Sequence, residues 1–167
     1  MACRVWLIAV VAAVGCAKAS EEGKAKRTPA LPPPQEVEIP EHLTIAVTID
    51  GAEVPAITGD RLHGVKPDYL DTERRAWKLT TLLPELDRPG AAVEARGPTG
   101  IMVRLDRPAT ADAMEPVLVL TRRGEVVVSL VDPANPFPDY HGQGGRLRRP
   151  GDPMPRLSPV TSLAVVR

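Results

Sequence analysis

Beyond His42 the apolar residues come in short alternating runs broken by glycine and proline, and this punctuation limits the fold more than any other feature. Leu43, Ile45, Val47 and Ile49 alternate with polar or small residues, and Asp50-Gly51 then turns the chain toward Val54, the pattern of a strand and hairpin. Further strands are predicted over 92–96, 101–105, 117–121, 126–131 and 160–166, with turns at 97–100 and 122–124. Helical signals are fewer. Thr58 is placed to cap a short turn through Leu62. Asp71-Thr72-Glu73 can start a longer helix with Leu79, Leu82, Leu83 and Leu86 on its apolar face. Pro84 disfavours helical geometry at Leu83, so this stretch reads as that helix, as two shorter pieces, or as a strand through Trp77 followed by a turn. The fold class expected is α+β, mainly β: one compact domain of short mixed strands with two or three short helices.

Composition narrows the function classes. The 167 residues carry 21 basic and 21 acidic side chains, a net charge of zero, which excludes the basic footprint of a nucleic-acid binder. The neutral total is uneven along the chain. Residues 41–115 hold 13 acids and 9 bases (−4), whereas 116–167 hold 4 acids and 7 arginines (+3). Two cysteines, Cys3 and Cys16, cannot build a disulfide scaffold or a four-cysteine zinc site.

At the N-terminus Arg4 precedes an unbroken apolar run, Val5 to Val14, followed by Gly15-Cys16. A basic start, an apolar stretch too short for a bilayer span and small residues at its end describe an export signal. Ala13-Val14-Gly15-Cys16 resembles the lipobox of bacterial lipoproteins. That resemblance implies removal of 1–15, lipid attachment at Cys16 and, because Ala17 is not aspartate, placement at the outer membrane. The family more often has leucine where Ala13 stands. The alternative is an ordinary signal peptide cleaved near 17–19. Residues 16–40 then read as the lipidated N-terminus and a Pro-rich tether, with Pro29, Pro32-Pro33-Pro34 and Pro40 favouring extended polyproline II, and 41–167 as the globular domain. A proline-rich ligand for a partner's aromatic groove is the competing use of the tether.

The domain carries a second, looser likeness. The hairpin is followed by Thr58 to Leu62, Trp77-Lys78-Leu79-Thr80-Thr81-Leu82-Leu83, Gly100-Ile101-Met102-Val103 and Pro116-Val117-Leu118-Val119-Leu120. Gly145-Arg146-Leu147-Arg148-Arg149-Pro150-Gly151-Asp152 and a last strand close the series. Over residues 43–167 this order resembles sulfite-oxidase-type molybdopterin-binding domains, whose members hold molybdenum through a cysteine in the first half of the domain. No cysteine follows Cys16 here, so the resemblance implies a relative of that fold without the cofactor.

Candidate sites are sparse. His42, His63 and His141 show no ligand spacing, no metal site is expected, and no Gly-x-Ser-x-Gly or catalytic cysteine is present, so no catalytic residue is assigned. The unusual stretch is 132–159, with seven prolines, four glycines, Phe137, Tyr140 and His141. Tyr140, His141, Arg146, Arg148 and Arg149 are its candidate ligand-binding residues: glycines 142–145 admit an anion to the backbone and the arginines supply charge. The competing reading is a segment that wraps the sheet with a solvated arginine rim, Phe137 and Tyr140 packing down. The 66–71 loop reads as turn and cap chemistry, and Trp77 as a core anchor. The expected function is a lipid-anchored envelope protein with a non-catalytic binding domain and no cofactor, its partners being the membrane and another envelope protein. A cofactor- or anion-binding oxidoreductase-like domain and a structural surface lipoprotein are the alternatives.

Overall fold

The computed structural model describes residues 36–110, 113–137 and 156–167, all within the compact unit Pro32–Arg167. The domain is α+β and mainly β. Among the described residues, ten strands form two five-stranded sheets. The first sheet has the order β2-β1-β10-β5-β6, built from β1 (Thr44–Ile49), β2 (Ala52–Thr58), β5 (Ala92–Arg96), β6 (Met102–Asp106) and β10 (Ser162–Val166). Asp50 and Gly51, with φ of 49° and 84°, make the tight β1–β2 turn. Two successive positive φ values match the right-handed twist of the flanking strands, which is why Asp-Gly suits this position. The pairing is antiparallel except between β1 and β10, which run parallel with Val47 opposite Leu163. Alternation is clean on this sheet. Val47, Leu163, Ala95 and Leu105 face the core, while Glu94, Arg96, Arg104 and Asp106 face outward and form ion pairs at 3.3–3.6 Å, of which Glu94–Arg104 joins β5 to β6.

The second sheet has the order β3-β4-β7-β8-β9, from β3 (Tyr69–Leu70), β4 (Arg74–Lys78), β7 (Glu115–Thr121), β8 (Val126–Val131) and β9 (Arg156–Leu157). Trp77, Leu118, Leu120, Val128 and Leu157 on its inner face share one core with the first sheet. Its other face is apolar as well: Ala76, Val117, Val119, Val127 and Val131 form a second buried cluster, with Tyr69 and Phe137 packed against it. A strand covered on both sides needs apolar residues at every position, which accounts for the unbroken Pro116 to Leu120 run.

Thr58 caps α1 (Gly59–Gly64), its hydroxyl accepting from Arg61 N–H at 3.2 Å. Of the alternatives for 71–86, the longer helix from Asp71 is not formed and the strand through Trp77 followed by a turn is. Residues 74–78 are strand, and Leu79–Leu82 (α2) and the 3-10 turn Pro84–Asp87 follow. Tertiary pairing decides the conflict: β4 bonds to β7 from Arg74 to Lys78 and buries Trp77, whose indole N–H donates to Val65 O at 2.8 Å. Pro84 separates the two helical turns, as its missing N–H requires. The Leu79, Leu82, Leu83 and Leu86 set is buried as the pattern anticipates.

The packed body also starts before residue 41. Val37 and Ile39, assigned by sequence to the tether, are 4% and 7% exposed and belong to the main core. Gly59 permits this. A Cβ there would lie 2.7 Å from the carbonyl oxygen of Pro40, so only glycine lets the incoming segment pass so closely.

Candidate functional site

Cys16 and the candidate ligand residues Tyr140, His141, Arg146, Arg148 and Arg149 lie outside the described residues. The ends of the stretch that holds the last five are placed. Phe137 lies on the outer face of the second sheet, with the Arg74 guanidinium 4.7 Å above its ring, and the chain rejoins the same sheet at Arg156, opposite Ser129. Burial pulls the Arg156 guanidinium below its ordinary value, against the opposing charge of Glu125. His42 and His63 are exposed, and among the described residues no three His, Cys, Asp or Glu side chains converge as metal ligands. No helix among them is long and apolar enough to cross a membrane.

Among the described residues two polar constellations bear on function. In the first, the Glu115 carboxylate accepts from Tyr69 O–H at 2.6 Å and from Lys78 Nζ at 2.9 Å, and Lys78 lies 5.6 Å above the Tyr69 ring. Burial and the hydrogen bond to Glu115 push Tyr69 up to about 12, and the hydrogen bond to Glu115 also raises Lys78. A tyrosine and a lysine that hold their protons this firmly are poor acid–base groups near neutral pH. The cluster ties β3, β4 and β7 together. Asp68 assists by accepting from Lys78 N–H at 2.8 Å and from the Thr81 hydroxyl at 3.3 Å, the turn-and-cap role expected of the 66–71 loop.

The second constellation lines a groove of about 330 Å³. One wall is the β1–β2 hairpin with Ile49, Val54 and Pro55; the other is Leu83, Pro84 and Glu85, where α2 gives way to the 3-10 turn. The first wall exists because of a bulge. Between the Val47–Val54 and Ile45–Ile57 pairs, Ala46 alone faces the two residues Pro55 and Ala56. A residue without an N–H is tolerated at such a site on an edge strand. Arg61 spans the floor, donating Nη1 to Pro55 O at 3.3 Å and Nη2 to Leu82 O, so one guanidinium grips both walls. Arg88 braces them a second time. Its Nε donates to Glu85 O at 2.9 Å and its Nη1 to the Asp50 carboxylate at 3.0 Å, in the hairpin turn beside Ile49.

No protein-family model, curated protein or solved structure matches this chain. The groove therefore has to be read from its own chemistry. Its volume lies at the low end of small-molecule sites, about 300–1,000 Å³, and it is an open groove rather than an enclosed pocket, with apolar walls and few polar groups. Arg61, Glu85 and Arg88 escaped the sequence reading. Arg61 sits three residues after the Thr58 cap in a six-residue helix, a position that by itself gives no sign of its distant partners. Nothing in the sequence spacing brings Arg61 to Leu82 or Arg88 to Asp50.

Proposed function

We propose that the chain is a lipid-anchored cell-envelope protein whose β domain binds a small ligand without transforming it. The anchor rests on the lipobox-like Ala13-Val14-Gly15-Cys16 after the apolar run. One observation carries the binding reading: the groove is held open by Arg61 and Arg88, each bonded to both walls. Rigid walls mean that little ordering entropy is lost when a ligand enters. The Tyr69–Lys78–Glu115 cluster offers no acid–base group near neutral pH, because burial and Glu115 raise Tyr69 and Glu115 raises Lys78.

Two experiments test the parts separately. Cys16→Ser is expected to release the protein from the membrane fraction and to abolish lipid labelling; a variant that stays membrane-bound removes the anchor. For the groove, a low-molecular-weight extract of the native host should shift amide NMR signals of Ile49, Val54 and Glu85. Shifts confined to other residues overturn the groove. Stoichiometric molybdenum or a pterin fluorophore on protein purified from that host would replace the reading with a cofactor-dependent one.

A further inference from the structure

We infer that the groove takes a zwitterion with an apolar body, of the kind presented by a free branched-chain amino acid or a very short apolar peptide. This rests on the groove being a binding site and adds the ligand's charge pattern. The apolar walls supply the first half of the argument. Ile49, Val54 and Leu83 offer contact to hydrocarbon and cannot hold a strongly hydrated ligand.

The two charges supply the second half. Arg61 gives two of its five N–H donors to carbonyl oxygens, which orient the guanidinium but do not neutralise it. Glu85 is fixed through its backbone by Arg88, and its carboxylate makes no ion pair among the described residues; neither does Arg61. Both line one groove, yet they do not pair with each other. A simple apolar acid would find Arg61 but face Glu85, and a simple amine would find Glu85 but face Arg61. A carboxylate on Arg61 with an ammonium on Glu85 satisfies both.

Calorimetric titration of the full chain in detergent tests this, with amide NMR to locate binding. The probes are L-leucine, 4-methylpentanoate (no ammonium), 3-methylbutylamine (no carboxylate) and glycine (no apolar body). Leucine should bind at the groove, each of the others about tenfold or more weaker, the loss expected for one charge-assisted contact or the buried side chain. Glu85→Gln leaves the Arg88 bond to the backbone intact, so it should unfold at the wild-type temperature. It should nevertheless bring 4-methylpentanoate to at least the affinity of leucine. A merely structural Glu85 would not invert that order. L-Leucyl-L-leucine identifies the source: tighter binding than leucine indicates peptide ends, weaker binding the free amino acid. If 4-methylpentanoate equals leucine on the unmodified protein, or Glu85→Gln leaves the ratio unchanged, the zwitterion is overturned. If leucine fails while host extract still shifts the groove signals, the zwitterion falls and the binding site stands. If neither shifts them, both fall.

Discussion

Gly59, Trp77 and Tyr69 each show what one side chain, or its absence, does here. Gly59→Ala sets a Cβ against the Pro40 carbonyl and should displace the segment that buries Val37 and Ile39. The expected loss is about 1–3 kcal/mol, typical of forced overpacking, read by denaturant titration together with faster amide exchange at 37–40. Trp77→Phe empties part of the core and leaves Val65 O without its donor, a cost of about 2–4 kcal/mol in the same titration. Tyr69 and Lys78 both have folded-state pKa values raised above their free ones, so the stability they contribute is complete below the free values, about 10 for tyrosine. It is lost as pH rises through the folded values, about 12 for Tyr69. Between pH 10 and 12 the wild type should therefore lose stability more steeply than Glu115→Gln; parallel curves would show that the carboxylate does not couple to the two groups. Thr58 as a cap was legible because it acts on a near neighbour, and Trp77 as an anchor because so large an apolar side chain is one of few available to fill the core. Glu115 was not, since it meets Tyr69 only after β4 and β7 have paired.

At the scale of elements, alternation and turn chemistry identified the β1–β2 hairpin and the five longer strands that follow β4, with ends shifted by at most two residues. At 71–78 the sequence left a helix and a strand through Trp77 both open, and the strand is the one that forms. The Asp71 side chain does accept from Glu73 N–H at 2.8 Å, but in a loop, and it then pairs with Arg74 at 2.8 Å. The same local chemistry serves either outcome, and the β7 edge decides which. The two-residue strands β3 and β9 carry no pattern and exist only by pairing. β2 is an edge of the first sheet, and its bulge with Pro55 interrupts the row of donors that another chain would need. Pro55→Thr restores a donor there. We expect concentration-dependent light scattering to rise, with a change in unfolding free energy of about 1 kcal/mol or less. Scattering equal to wild type would mean that the bulge alone protects the edge.

The whole molecule is closed by its last strand. β10 enters between β1 and β5, so the first and last strands of the described domain meet in the middle of one sheet. No local pattern announces such a pairing, and its long loop closure predicts slow folding relative to a simple meander. It also scatters the charge asymmetry read along the chain. β10, from the arginine-rich part, lies in the first sheet beside strands from the acidic part, and β7 pairs with β4 in the second, so among the described residues strands of both parts share each sheet. Native-state hydrogen exchange should find the slowest amides in β1, β10 and β7, which are bonded on both sides, and faster ones in β2 and β3 at the sheet edges. The placement of β1 has a mechanical consequence. A pull on the chain from residue 36 first meets Val37 and Ile39 wedged beneath Gly59, and beyond them a strand held by ladders to both β2 and β10. Load directed along β1 must shear both ladders together instead of peeling one bond at a time. The N-terminal end of the described domain is thus the end best placed to resist tension, as a leash fastened to the frame rather than to the door.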